Sequence, residues 1–556
     1  MQLFFVTQVL NRDNLPIEEA NRYLTSRARR KKSSLSIAAV AAAKTTPQPL
    51  FAVPSLSRLF HRLQRVLIMA LMTLQLLPFL ALRLHTASAA VSADEIDGLS
   101  LPGYKRAFPH NTRHYSGYIR TYYPGRNVKV YTHYHLVLHE DPTAPVLQWQ
   151  QGGPGGSSLL GLFTENGPLT LNDASWKDDD ALEVFDNPHT WANAGGGVSL
   201  LYIEHPAPTG FSYCEPACVH DDDSQADLHL AILDEFFGNM YPELRKNRYV
   251  IAGESYAGVL VPTLAERILK RRSPGADVAP DSLEGFALGN DCPGNKVFTC
   301  TPYSGWAGTK ISLDFLYGHG MIPDIVKERV DAVCGDWYVS KPPGPQTPPP
   351  TACADALEDP IRPLKSIAGD TYDMGGGYFL YDTCGADLLA LSSEQRTPTR
   401  PTNDYALNSG EYACGQENAA TAWLRCADVQ DALHVRRTPD FSLSTNLEYN
   451  FTAASLLETY KERLAPNFRI LQYSGDADPC VPMPGTQKWI RSLALPETTP
   501  WHPWTAPGTA AVTGYATVYA PDFTFASIRD AGHMSPRYKP RELFYMIDAW
   551  LRKEPL

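Results

Sequence analysis

The body of this chain is short of positive charge. Residues 1–90 hold 12 of the 49 Lys and Arg and only 3 Asp and Glu. The rest carries 37 basic against 57 acidic residues, a balance of −20 inside a formal net charge of −11. A surface that acidic repels a phosphate backbone, so nucleic acid is excluded as a partner. No cysteine pair has zinc-site spacing with histidines nearby, so no metal is expected. No Lys-Ser/Thr follows the glycine-rich loop at 152–156 in Walker spacing, which argues against a nucleotide phosphate as its ligand. There is no internal repeat. Hydrophobic residues make up 44% and charged residues 20%, a globular composition rather than a disordered one.

Ser255 lies in Gly253-Glu254-Ser255-Tyr256-Ala257-Gly258, after the β-prone run Tyr249-Val250-Ile251-Ala252 and before a mostly apolar stretch over 259–269. A serine on a tight strand-to-helix turn has its hydroxyl pushed outward and its backbone strained. Ala257 stands where the generic G-x-S-x-G turn has its second glycine, so the fit to that pattern is loose. Two later segments matter more. A strand end runs into an acidic loop at Ser474-Gly475-Asp476-Ala477-Asp478, and another into Asp530-Ala531-Gly532-His533-Met534. A hydroxyl is a poor nucleophile without a base in reach, and that base needs a carboxylate to fix its tautomer. The order Ser…Asp…His is that of α/β-hydrolases. With 15 histidines in the chain, His533 alone says little; the ordered trio says much. Between Pro145 and Ser158 a strand ends in Gly152-Gly153-Pro154-Gly155-Gly156, a loop bare enough to aim backbone N–H groups at a developing oxyanion.

Together these segments resemble the serine carboxypeptidase family. Gln151 to Ser158, Gly253 to Gly258, Ser474 to Asp478 and Ala531 to Met534 carry the likeness. It extends to Tyr115-Ser116-Gly117-Tyr118, Asn187 to Trp191, Ile203 to Tyr213, Gly285 to Asn290 and Asp428 to Val435, and so from about residue 100 to the C-terminus. The resemblance implies an α/β-hydrolase fold, a mostly parallel central sheet with helices on both faces and an inserted cap. It implies Ser255 as nucleophile, His533 as general base and acid, and Asp478 as orienter. Gly153 and Tyr256 would supply the oxyanion hole. Glu254 and Glu165, with Trp149, Gln151 and Gly152, would hold a substrate's terminal carboxylate. Two carboxyls packed together share a proton, and a shared proton lets one of them donate a hydrogen bond to an anion in acid. No cofactor is implied. Two positions depart from the family pattern: Gln151 replaces the usual asparagine, and Gly156 the usual cysteine. Both leave the triad untouched and bear on carboxylate specificity and on the customary disulfide.

The chain divides by punctuation. Residues 1–90 form a leader. Arg62 and Arg65 precede Val66 to Leu82, which has no charge, and Ala87-Ser88-Ala89 follows like a signal-cleavage tripeptide. The competing reading is an uncleaved membrane anchor. Pro78 interrupts the run and favours cleavage; translation starting at Met69 or Met72 is a further alternative. No stable membrane association is expected unless 66–82 is such an anchor. Residues 91–290 alternate strand-like and helix-like segments, with a helix expected over Asp227 to Leu244. Residues 291–427 are rich in Cys, Gly, Pro and Tyr and read as the cap, and 428–556 returns to the core. Proline-rich stretches at 341–350 and 395–403 are candidate processing sites, as in family members matured to two chains. Ten cysteines fit an oxidising compartment, without fixing their pairing; Cys480 beside Asp478 is either a thiol in the site or half of a disulfide. Asn450-Phe451-Thr452 is a glycosylation sequon.

Three functions follow from these residues. The first is an acid exopeptidase of the secretory pathway, vacuolar, lysosomal or extracellular, that takes peptide or protein C-termini as substrate. The second is an acyltransferase on the same scaffold. The third, a silent binding protein, is disfavoured by the intact trio.

Overall fold

The computed structural model describes residues 92–556 apart from 110–111, 177–181, 276–277, 298–304, 341–349, 358–376, 383 and 385–411. The leader with its signal or anchor segment, nearly all of the first proline-rich stretch and all of the second lie outside the described residues.

A twelve-stranded sheet organises the molecule. In chain order its strands are β1 (Glu95–Ile96), β2 (Thr112–Tyr122), β3 (Lys129–His139), β4 (Val146–Gln150), β5 (Ser199–Ile203), β6 (Tyr213–Glu215), β7 (Tyr249–Glu254), β8 (Gly285–Gly289), β9 (Arg469–Gly475), β10 (Glu497–Trp504), β11 (Gly514–Tyr519) and β12 (Phe523–Ile528). Their spatial order is β1-β2-β3-β5-β4-β7-β8-β9-β12-β11-β10, with β6 against β3. The central strands β5, β4, β7, β8, β9 and β12 are parallel to their neighbours in this series. Antiparallel strands flank them on both sides. This is the expected α/β-hydrolase architecture.

The sequence of the parallel strands explains why they sit at the centre. Every residue of β4, β5, β7 and β8 is buried. Side chains alternate across the sheet, so a strand covered on both faces reads as one apolar run. Val250, Ala252, Leu471 and Tyr473 join one core with Met546, Ile547 and Trp550 of the C-terminal helix. Tyr249, Ile251 and Ile470 join the other with Leu228, Ile232, Leu260 and Leu264. Helices therefore cover both faces. Full burial of each large apolar side chain contributes about 1.5–3 kcal/mol.

Helices fill the connections between the strands: α1 (Leu159–Thr164), α2 (Asp222–Glu235), α3 (Ala257–Arg271), α4 (Gly305–Gly318) and α5 (Asp324–Ser340). α2 begins five residues before the expected start. Asp221 caps it, accepting from the backbone N–H groups of Asp223 and Ser224 while Ser224 bonds back. The acidic run ahead of the expected start is a helix N-terminus with its cap. At its other end α2 gives way at Phe236 to a π-turn and then to a short 3₁₀ segment. Between β8 and β9, α4 and α5 share a small core of their own with Leu313, Leu316, Val330, Cys334, Cys353 and Leu357. Further on, α6 (Gln416–Arg425) buries Ala419, Ala420, Trp423 and Leu424 in the first sheet core. Disulfides join Cys214 to Cys218, Cys334 to Cys353 and Cys384 to Cys414, and Cys292 is also disulfide-bonded. No helix among the described residues is long and apolar enough to cross a membrane.

Candidate active site

The carboxyl ends of β4, β7, β8, β9 and β12 open at one edge of the sheet, where open α/β sheets hold their ligands. Ser255 directly follows β7 and precedes α3 with φ +60°, the left-handed region that a non-glycine residue occupies only under constraint. Its backbone is clamped on both sides. Its N–H donates to Gly289 O (3.0 Å), and its carbonyl accepts from Gly258 and Cys292 (3.0 Å each). The close approach that the generic turn assigns to residue 257 falls at 258 instead. A Cβ on Gly258 would lie 2.6 Å from the Cys292 backbone, whereas Ala257 has room for its methyl.

His533 and Asp478 are brought together. His533 Nδ1 lies 2.8 Å from Asp478 Oδ2, and both side chains are buried. Asp478 Oδ2 also accepts from Asn290 Nδ2 (2.7 Å), and Oδ1 from the Cys480 N–H (2.7 Å). Asn290 in turn accepts from the Gly475 N–H and from Ser535 Oγ. The sequence offers Asn290 as the last residue of a family-like segment without a role; its positive φ and its grip on Asp478 are visible only in three dimensions. Among the described residues no hydrogen bond joins the Ser255 hydroxyl to His533. Such bonds are commonly long in unliganded hydrolases and tighten with substrate.

The glycine loop after β4 abuts this turn. A Cβ on Gly152 would fall 2.6 Å from the Tyr256 nitrogen and 2.7 Å from Ser255 Cβ, so only glycine lets the two loops meet. Gly153 follows with φ +114°. Where a family cysteine would tie this loop, Gly156 bridges to Ser444, Thr445 N–H donates to Gly155 O (2.8 Å) and Ser157 N–H to Leu443 O (2.9 Å). Backbone pairing does the fastening.

Next to Ser255 is a buried pair of carboxyls. Glu254 and Glu165 are 1% and 3% exposed. Burial pushes both well above the usual carboxylate range, and for Glu254 the nearby Glu165 adds to the rise. Gln151 Nε2 donates to Glu254 Oε1 (2.6 Å), and Trp149 Nε1 donates to Gln151 Oε1 (2.9 Å). The extra methylene of Gln151 is thus accommodated. Trp149 is fully buried, with its indole N–H spent on Gln151, so it orients that amide. Among the described residues no group other than the partner carboxyl donates to either Glu165 oxygen or to Glu254 Oε2, and all three are buried. Such a pair holds a proton at neutral pH and can present it to an incoming anion.

One residue that no sequence pattern flags is Asp222, at the start of α2. Its buried carboxylate accepts from the Tyr256 and Tyr449 hydroxyls (2.7 and 2.8 Å), from the Thr452 and Ala453 N–H groups (2.6 and 2.7 Å) and from Asn295 Nδ2 (3.1 Å). It ties the residue after Ser255 to two distant loops.

Residues 102–553 match the profile of the family described as serine carboxypeptidase. The chain belongs to the serine carboxypeptidase family. It is 30% identical to serine carboxypeptidase 1 of Hordeum vulgare over 497 residues, 83% of this chain and 93% of that protein. It is 28% identical to serine carboxypeptidase-like 21 of Arabidopsis thaliana over 498 residues, 82% of this chain and 94% of that one. The crystal structure of Kex1(delta)p, a prohormone-processing carboxypeptidase from Saccharomyces cerevisiae, superposes with a TM-score of 0.60 at 18% identity. It covers 83% of this chain and 96% of its own and supports the shared fold. In this serine carboxypeptidase family member, then, His533 meets Asp478, Gly152 abuts Ser255 and Tyr256, and Gln151 links Trp149 to Glu254.

Proposed function

We propose that the protein is a serine carboxypeptidase that releases C-terminal residues from peptides and works best in acid. The observation that carries this reading is the buried Glu254–Glu165 pair immediately beside Ser255. A plain esterase has no use for a shared carboxyl proton there, whereas an exopeptidase needs a donor for the substrate's terminal carboxylate. In this reading Ser255 attacks the last peptide carbonyl and His533 takes its proton. Asp478, steadied by Asn290, holds the imidazole and stabilises its cation. The N–H groups of Gly153 and Tyr256 receive the oxyanion. His533 then protonates the departing amine, and water, activated by the same histidine, frees the acyl group. Gln151, Gly152, Glu165 and Glu254 hold the terminal carboxylate. The disulfides suit an oxidising compartment, so the secretory pathway is the proposed location.

Gln151 favours keeping a second reading, acyl transfer to an alcohol, because it alters the carboxylate-binding position. One experiment separates the two. Peptides are incubated with the protein at acidic and neutral pH and followed by mass spectrometry, with Ser255→Ala as control. Stepwise loss of single C-terminal residues, absent in the variant and weaker at neutral pH, is the expected result. Covalent labelling of Ser255 by a fluorophosphonate without any trimming would sink the peptidase reading and turn attention to acyl esters and alcohol acceptors.

A further inference from the structure

One described segment between β8 and β9 lies directly over the paired loops. Residues 377–382 bond to both of them: the His533 N–H donates to Tyr378 O (2.6 Å), and the Leu380 N–H donates to Ala477 O (3.0 Å). Ala477 precedes Asp478, so this strap bonds to His533 itself and to the residue beside its carboxylate partner. Gly532 is the permissive point, since a Cβ there would sit 2.4 Å from Tyr378 O. The strap is anchored further along. Phe379 packs on Tyr538 with centroids 4.6 Å apart, and Asp382 accepts from the Tyr412 hydroxyl (3.0 Å). Its end is fixed by the Cys384–Cys414 disulfide.

The Tyr378 ring stacks on the His533 imidazole, with centroids 5.0 Å apart and planes 17° from parallel. The residue is nevertheless 53% exposed, so much of its surface remains open. Its phenol lies within electrostatic range of Cys480, Glu417, Asp478 and Glu254, which places the ring beside both the triad and the glutamate pair. An aromatic ring held rigidly at that place, with one face on the imidazole and surface left over, is a platform for an apolar group.

We propose that Tyr378 is a specificity-determining residue: its ring packs against the side chain of the C-terminal residue being released and selects large apolar ones. This rests on the carboxypeptidase reading above. The strap's backbone bonds set the ring's position, and they do not depend on the side chain at 378. Removing the ring therefore changes selection more than it changes the fold.

The test uses blocked dipeptides that differ only in the C-terminal residue, phenylalanine or leucine against glycine. Their kcat/KM ratios are measured for wild type, Tyr378→Ala and Tyr378→Phe, and fluorophosphonate labelling of Ser255 reports an intact site in each. The alanine variant is expected to lower the Phe-to-Gly ratio about three- to tenfold, the worth of one aromatic contact. The phenylalanine variant should keep the wild-type ratio. An unchanged ratio in a Tyr378→Ala protein that still labels would overturn the proposal alone. A wild type that labels but releases no residue would overturn both it and the carboxypeptidase reading, and so is told apart.

Discussion

In the proposed carboxypeptidase, the protonation state of Glu165 and Glu254 is the substrate switch. Burial raises both carboxyls above the ordinary glutamic acid range, and among the described residues Gln151 donates its amide to the pair and no cation bonds to it. The sign follows. At low pH the pair is protonated and can donate to a carboxylate. As pH rises through the raised range it ionises and repels the same anion. KM for a peptide should therefore climb several-fold from acid to alkaline pH. Glu165→Gln, neutral at every pH, should flatten the climb, and initial rates over a pH series would show it. The same pair acts on stability. A carboxyl whose folded pKa is raised leaves native stability intact below its unfolded value and erodes it as pH rises towards the folded one. Melting temperatures of Glu165→Gln should thus fall less between acidic and neutral pH than those of wild type. A KM profile as steep as the wild type's would remove the pair from substrate binding.

At the scale of elements, legibility depended on punctuation. The strand, turn and helix around Ser255 were readable because an apolar run stops at Gly253 and another starts at Ala257. The ends of β4, β9 and β12 were readable for the same reason. The start of α2 was not, because three consecutive aspartates look like solvent-exposed loop, and only folding separates their fates. Asp223 is exposed and pairs with Arg267 on the surface, whereas Asp222 is 1% exposed and receives hydrogen bonds from five residues. The strap at 377–382 is hidden too, since Gly-Tyr-Phe-Leu-Tyr-Asp has neither helical nor strand period and draws its meaning from the distant loops of Ala477 and His533. The two neighbouring aspartates make a clean comparison. Asp222→Ala removes the buried acceptor shared by two backbone N–H groups, two phenols and an amide and should cost on the order of 3 kcal/mol. Asp223→Ala loses a solvent-screened ion pair worth at most about 1 kcal/mol. Denaturant unfolding of the two variants side by side measures the difference; equal midpoints would mean that the Asp222 node holds nothing together.

For the whole molecule, the cysteines and the prolines have to be read together. Sequence spacing left the pairing open, and it also left open what would happen if the two proline-rich stretches were cut. The observed disulfides bracket them: Cys334–Cys353 spans 341–350, and Cys384–Cys414 spans 395–403. A cut in either stretch therefore lies inside a closed covalent loop and cannot release a piece. The second bridge closes a separation of 30 residues, which in the chain-entropy account stabilises by about 3–4 kcal/mol. That loop-closure term is lost once the backbone inside it is cut, so a nicked protein should be less stable than an intact one while its strap stays over His533. The expected outcome of limited proteolysis is one band without reductant and two or more with it. Labelling of Ser255 should survive the nick and fall once the bridges are reduced, because reduction frees the strap from Cys414. Separation of the fragments without reductant would show that the cuts lie outside the bracketed stretches, and labelling indifferent to reduction would show that the bridges do not hold the strap in place.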